Sequence, residues 1–326
     1  GARFVARDMF GANEHLSLQA AAGVAYYFRQ LYSVELRSGD RFGKRVSFEA
    51  DFGYELRPRD VYYGLGNELQ PETRYSQTRE RGIVTGDIRV WRGLHVRPAG
   101  AMVERSYGDP STGTPTRDLY MPPGFDGYSG SYGELELRWD GRHAGGAWDP
   151  TGSFTGGSLM SAFAGRFHRL DGGTDFWRYG FDLQHFFRLA IGPRIIMARL
   201  HTEAVSGTRD EVPFSELPTL GGSQYLRGYA LDQFRDRIAT FGTLAYGWDL
   251  SSWMGANLFV DAGRVYEHLH ALTLDDLRIG YGLGLVLHHG GDFVTELSLA
   301  SSIDGGFFVN LSFNPVYDLD TRVRRR

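Results

Sequence analysis

The sequence predicts an all-β protein: a transmembrane antiparallel up-and-down β-barrel of about 16 strands. Three observations carry that prediction. Apolar and polar residues alternate with period two from one end of the chain to the other, as they do in strands with two unlike faces. Many of the alternating runs reach about ten residues, the length that crosses a bilayer at a tilt. Mean hydropathy is −0.32, and no apolar run approaches the ~20 residues of a spanning helix. That excludes a helical membrane protein but not a barrel, whose strands hide their hydrophobicity by alternating it with polar lumen residues.

Taken in order, strand-like runs lie at Ala2–Asp8, His15–Tyr26, Tyr32–Arg37, Val46–Arg57, Gly86–Trp91, Leu94–Tyr107, Glu134–Asp140 and Ser153–Phe167. They continue at Arg178–Leu189, Met197–Ala204, Ile238–Leu250, Asn257–Asp261, Ile279–Leu287, Phe293–Ser301 and Phe307–Phe313. The clearest is Val46–Arg57, with Val46, Phe48, Ala50, Phe52, Tyr54 and Leu56 on one face and Ser47, Glu49, Asp51, Gly53, Glu55 and Arg57 on the other. A soluble sandwich or propeller also alternates, but its strands average about five or six residues. Aromatic residues at Tyr26, Tyr27, Trp91, Trp139, Trp177, Trp248, Trp253 and Tyr266 fall near strand ends, as an interfacial girdle requires. In lipid every backbone group must be paired within the protein, and a closed barrel does that.

The joints differ in length. Phe28–Gln30, Gly39–Gly43 and Ala190–Pro193 read as tight turns. Asp60–Thr78, Gly108–Ser129, Gly141–Thr151 and Ser206–Asp236 read as long connections. Short turns at one end and long loops at the other is the asymmetry of bacterial outer-membrane barrels. No linker or composition shift interrupts residues 1–326, so they read as one barrel domain, with 206–236 as a long extracellular loop and 318–326 as a solvated charged tail. Cys is 0, which removes disulfide, thiolate-metal and cysteine-nucleophile chemistry. A net charge of −4 gives no basic footprint for nucleic acid. Nothing before the first run reads as a leader, so the sequence is taken as a mature form or a fragment.

One stretch, Leu217 to Asp236, keeps neither strand alternation nor helical period, yet it is too rich in Leu and Tyr for a plain solvated loop. Pro218 and the Gly221, Gly222 pair break regular structure. Arg227 stands between Leu226 and the Gly228, Tyr229 pair, a cation with apolar neighbours that another part of the protein must receive. Two further stretches stand out: Phe259 to Tyr266, which places Asp261 and Gly263 in an apolar strand, and Tyr63 to Asn67 in an early loop.

Together these resemble the BamA/TamA-like superfamily of outer-membrane assembly and translocation barrels, also called the bacterial surface antigen family. Leu226, Arg227, Gly228 and Tyr229 look like its sixth-extracellular-loop signature, [V/L]-R-G-[F/Y]. Phe259 to Tyr266 looks like its F-x-D-x-G-x-V-[W/Y] strand, and Tyr63 to Asn67 resembles its early F/Y-x-G-x-G-N segment. The resemblance implies that the loop folds back into the barrel and that Arg227 binds the inner wall. The chemistry agrees, because an enclosed guanidinium is matched by a bidentate carboxylate, and Asp261 is the partner expected. The alternative is that the two are separate lumen charges among many. Gly280, Gly282 and Gly284 fall on one face of the following strand, leaving room for a loop against the wall.

The chain also departs from the family pattern. The run from Thr243 to Trp248 lacks the glutamate that serves the family as a second arginine partner, and thirteen residues follow Phe313. Gly1 to Gly11 looks like the family's second strand, so the first strand, and any POTRA or fused enzymatic domain, is expected to be missing from residues 1–326. The implied function is insertion or translocation of proteins at the Gram-negative outer membrane, by lateral opening of a seam and strand addition, with no reaction catalysed. Its partners would be outer-membrane lipid or lipopolysaccharide, unfolded outer-membrane or secreted clients, and periplasmic accessory proteins. A passive channel, or a lipid or solute transporter of the same superfamily, is the rival reading. Barrel enzymes use Ser/His or Asp/His sites, but His168, His185, His201 and the His288, His289 pair beside Asp292 sit in no nucleophile motif. That pair and the segment Asp171 to Asp175 lack metal-ligand spacing, so no catalytic residue, metal or cofactor is expected.

Overall fold

A computed structural model describes residues 1–23, 28–39, 45–142, 156–189, 194–289 and 292–313; the side chains at 288, 289 and 292–294 fall outside it. Among the described residues, fifteen strands form one antiparallel sheet in chain order. They are β1 (Ala2–Arg7), β2 (His15–Ala22), β3 (Gln30–Arg37), β4 (Val46–Tyr62), β5 (Thr73–Trp91), β6 (Leu94–Gly108), β7 (Tyr128–Asp140), β8 (Gly157–Arg169), β9 (Phe176–Arg188) and β10 (Arg194–Val205). After a short separate hairpin of β11 (Thr219–Leu220) and β12 (Phe234–Arg235) come β13 (Ile238–Ser251), β14 (Met254–Tyr266), β15 (Arg278–His289), β16 (Asp292–Ser302) and β17 (Phe307–Ser312). This is the meander of an up-and-down β-barrel. β1 pairs only with β2 and β17 only with β16, so two strand edges are unpaired among the described residues.

Alternation sets which side of the sheet each residue takes. On β7, Leu135, Leu137 and Trp139 are exposed on the outer face while Glu134 and Glu136 are buried on the inner one. On β17, Phe307, Val309 and Leu311 continue the outer apolar surface. The inner charges neutralise one another across strands: Glu55 of β4 accepts from Arg57 at 2.8 Å and from Arg79 of β5 at 2.9 Å, and Arg81 meets Asp51 at 3.0 Å. Turned outward, such groups would meet hydrocarbon, where charge is costly, so the register is strongly specified.

Several strands are longer than the alternation predicts. The run Gly86–Trp91 extends to Thr73–Trp91, 19 residues, which at about 3.3 Å per residue far exceeds the ~25 Å apolar band. Beyond the lipid, both faces of β5 are polar, with Arg74, Ser76, Thr78 and Glu80 facing away from the lumen. The periodicity vanishes while the ladder with β4 continues to Tyr62↔Thr73. The joint predicted at Asp60–Thr78 therefore shrinks to residues 63–72. For the same reason Glu134–Asp140 grows to Tyr128–Asp140 and Asn257–Asp261 to Met254–Tyr266. Gln30 opens β3 rather than closing a turn, and Gly23 donates to the Arg29 carbonyl at 2.7 Å. The connection after Asp140, predicted among the long loops, leaves the sheet at the end that carries the two-residue turns β5–β6 and β13–β14.

Trp91, Trp139, Trp177 and Trp253 are exposed near strand ends and Trp248 partly so. Tyr266 departs from the predicted girdle. It is buried against Ala204 and Ile238, its hydroxyl donating to the Thr273 carbonyl at 2.6 Å. Tyr26, Tyr27, residues 40–43 of the predicted Gly39–Gly43 turn, Ala190–Pro193, most of Gly141–Thr151 and the 318–326 tail lie outside the described residues.

Candidate functional site: the inward loop and its seat

Between β10 and β13 the chain turns into the lumen and is anchored twice. The first anchor is the 3-10 turn Phe214–Glu216. Phe214 is fully buried against Tyr62, Tyr75, Tyr107 and Phe125. Glu216 beside it accepts from Arg178 at 2.7 Å and from the Tyr128 hydroxyl at 2.6 Å, with Arg105 at 3.3 Å. The pairing of β11 with β12, Thr219↔Arg235 and Leu220↔Phe234, then narrows the loop to a tip. Gly221 donates to the Tyr225 carbonyl at 2.6 Å and Gly222 to that of Tyr229 at 3.1 Å, so the glycine pair shapes the tip internally. Leu220, Tyr225, Leu226, Tyr229 and Phe234 pack on Ala239 and Phe241 of β13 and Val265 of β14.

The second anchor is Arg227, which is 1% exposed. Its backbone N–H and its Nε donate to Asp261 Oδ2 at 2.9 and 2.8 Å, and its Nη2 donates to Oδ1 at 2.8 Å. The guanidinium carbon lies 3.3 Å from the centre of the Phe259 ring. Thr243 on β13 donates to Asp261 Oδ1 at 2.8 Å, so the run that lacks a second carboxylate supplies a hydroxyl to the first. Deeper in the wall, Asn257 donates to buried Glu296 of β16 at 3.3 Å. Sequence reading passed over Thr243, Asn257 and Glu296. Their inward parity was visible, but their pairing partners depend on inter-strand register.

Backbone shape explains the motif glycines. Gly228 has φ +93°, open to glycine at no steric cost, and a Cβ there would strike the Ser301 carbonyl of β16. Leu226 also takes a left-handed φ of +70° with its side chain fully buried, a strained conformation that the surroundings must impose. Of the three wall glycines, Gly280 touches the loop: a Cβ there would run into the Arg227 carbonyl. Gly282 instead leaves room for the Phe259 ring and the Leu299 carbonyl, and Gly284 lies beside Asn257 and Glu296. The expectation that all three face the loop is thus corrected. Gly263 admits the loop from the other side, a Cβ there meeting Leu220 Cδ1 at 3.1 Å.

The rest of the site closes over the loop. The Tyr229 hydroxyl donates to Asp304 Oδ2 at 2.6 Å in the β16–β17 turn. Burial, with that carboxylate beside it, pushes the Tyr229 hydroxyl above its usual range, so it stays a donor at neutral pH. Arg278 donates to Asp304 at 3.0 Å and to the Asn67 carbonyl at 3.0 Å. Asn67 donates to the Asp276 carbonyl at 3.0 Å, and Gly66 to that of Arg235 at 2.8 Å. The segment Tyr63 to Asn67 therefore ties the β4–β5 loop to the β12 leg and the β14–β15 connection across the barrel mouth.

The histidines are dispersed. His168 faces out beside Asp175 at 3.0 Å, His185 faces out beside Ser158 at 2.7 Å, and His201 faces in beside Asp182 at 3.0 Å. Asp171 and Asp175 are ion-paired to Arg169 and Arg166. The His288, His289 and Asp292 side chains lie outside the described residues, among which no group of three His, Cys, Asp or Glu is arranged to hold a metal.

Fold and site together define an outer-membrane β-barrel with an extracellular loop seated on its inner wall. A model of the Omp85 superfamily domain matches residues 137–300, half of the chain. The chain belongs to the Omp85 superfamily and is a barrel of the Gram-negative outer membrane. Among solved structures, BamA from Haemophilus ducreyi lacking POTRA domains 1–3 superimposes with a TM-score of 0.63 at 13% identity over 95% of this chain. CdiB from Acinetobacter baumannii gives a TM-score of 0.59 at 11% identity over 95%, and CdiB from Escherichia coli 0.59 at 10% over 96%. This chain spans 65%, 55% and 56% of those three chains, respectively. No curated protein sequence matches it.

Proposed function

We propose that this barrel inserts or translocates proteins at the outer membrane by opening laterally between its first and last strands, with no reaction catalysed. The observation that carries this reading is where the loop is fastened. Arg227 is bonded to β14, Gly228 lies against β16 and Tyr229 is bonded to the β16–β17 turn, while the outer edge of β17 remains unpaired among the described residues. The loop thus braces the last strands from inside without covering the edge at which an unfolded client could add a strand. In this reading the Arg227–Asp261 pair is a lock on the loop, residues 206–236 act as an insert within one barrel domain, and no side chain acts as a catalyst. The partners are unfolded outer-membrane or secreted clients, the surrounding lipid or lipopolysaccharide, and periplasmic accessory proteins.

Proteoliposomes carrying the folded chain, supplied with an unfolded barrel client, provide the test. Faster client folding than in empty liposomes supports the reading. A stable, solute-selective conductance in planar bilayers with no effect on client folding would instead mark a passive channel or transporter.

A further inference from the structure

We propose that an apolar trough on the lipid-facing side of β1–β6 docks a lipid of the outer leaflet whose polar head bears an ammonium group. The trough has a volume of about 1060 Å³. Small residues keep its floor low. Ala2 of β1 lies opposite Ala20 of β2, and Gly82 of β5 lets the Phe52 ring lie down on the wall, a Cβ there meeting Phe52 Cδ1 at 3.1 Å. Phe4, Leu18, Phe52 and Met102 line the trough and are exposed. Alternation turns all of them toward hydrocarbon, so the trough takes an acyl chain rather than a soluble ligand.

Charge complementarity at the polar end of the trough selects the head. One outward row runs Tyr32, Tyr54, Glu80, Glu104, each opposite the next in the ladder, and all four line the trough. On β5 this row lies toward the extracellular loop 63–72, which places the lipid in the outer leaflet. Glu80 and Glu104 are exposed, and neither has a hydrogen-bond or ion partner among the described residues. Directly opposed side chains bring their Cβ atoms to about 4.5–5.5 Å, where like charges repel. Arg81, the one basic residue of the lining, faces the lumen and pairs with Asp51 at 3.0 Å. An ammonium group between the two carboxylates turns their repulsion into attraction, and the Tyr32 and Tyr54 hydroxyls beside them donate to the phosphate of the same head. An anionic head without an ammonium gains nothing from Glu80 and Glu104. The proposal stands independently of the client-insertion reading.

The test supplies the folded chain in detergent with equal amounts of phosphatidylethanolamine and phosphatidylglycerol of the same acyl chains. A chelator is present to remove cation bridges, and the lipid retained after washing is identified by native mass spectrometry. Phosphatidylethanolamine, the probe for the ammonium head, should be retained over phosphatidylglycerol by about threefold, the scale of exposed ion pairs. The preference should vanish in Glu80→Gln combined with Glu104→Gln and reverse in Glu80→Lys combined with Glu104→Lys. Both positions are exposed, and folding of each variant is checked by heat-modifiable gel migration. Gly82→Leu, which raises the floor, should lower retention of both lipids. Equal retention of the two lipids by the parent, a preference that survives loss of both carboxylates, or retention undiminished in Gly82→Leu would overturn the site.

Discussion

At Arg227 three hydrogen bonds and one aromatic face meet a single carboxylate in a buried setting, so the partners are worth little apart. Removing one side of a buried pair strands the other, at about 3–5 kcal/mol. Asp261→Ala is therefore expected to lower the stability of the folded barrel by that amount, read from urea unfolding followed by heat-modifiable migration. Thr243→Val removes one donor to the same carboxylate and should cost about 1 kcal/mol. Unchanged unfolding midpoints in Asp261→Ala would show that the pair holds nothing. Glycines give a sharper contrast. Gly280→Ala drives a methyl into the Arg227 carbonyl and should unseat the loop, whereas a Cβ on Gly133 meets nothing within 4 Å, so Gly133→Ala should stay within about 0.5 kcal/mol of the parent. Arg227 and Asp261 were legible in the sequence because a cation and a carboxylate each interrupt an apolar run. Which glycine faces the loop was not legible, because Gly280, Gly282 and Gly284 share one face and differ only in what register brings opposite them.

Among the elements, the long loops carry the contacts that alternation could not foresee. β4 and β5 rise past the lipid, where both faces meet water and period two disappears. Asn67 looked like a weak motif residue, yet it bridges to β14–β15, 198 and more positions away. Asn67→Ala removes its bonds to Asp276 and Val265. Loops 63–72 and 267–277 should then become protease-sensitive together, with the barrel intact by gel migration; cleavage confined to one loop would contradict the clasp. Tyr229→Phe deletes a hydrogen bond to the Asp304 carboxylate, worth about 1.5–3 kcal/mol. Hydrogen exchange in β16 and β17 should quicken, while exchange in β7 and β8 should not. Equal protection in both pairs of strands would separate the loop from the last hairpin.

For the molecule as a whole, the meander was legible because every wall strand must show one face to lipid and one to the lumen. The sequence count of about fifteen strands agrees with the fifteen of the sheet. Strand order follows from that pattern, and the breaks at Pro218, Gly221 and Gly222 mark the loop whose inward fold the family resemblance implied. The unpaired edge of β17 was harder to anticipate, since edge and interior strands of a barrel carry the same alternation and differ only in whether a neighbour is present. That edge carries the functional reading, so the most direct test acts on it. The chain has no cysteine, which lets single cysteines introduced at Phe4 of β1 and Val309 of β17 be joined by a bifunctional cross-linker. Client folding in proteoliposomes should be accelerated by the uncross-linked barrel, fall to the empty-liposome rate after cross-linking and recover when the link is cleaved. Acceleration that survives a complete cross-link would contradict lateral opening as the route by which this barrel works.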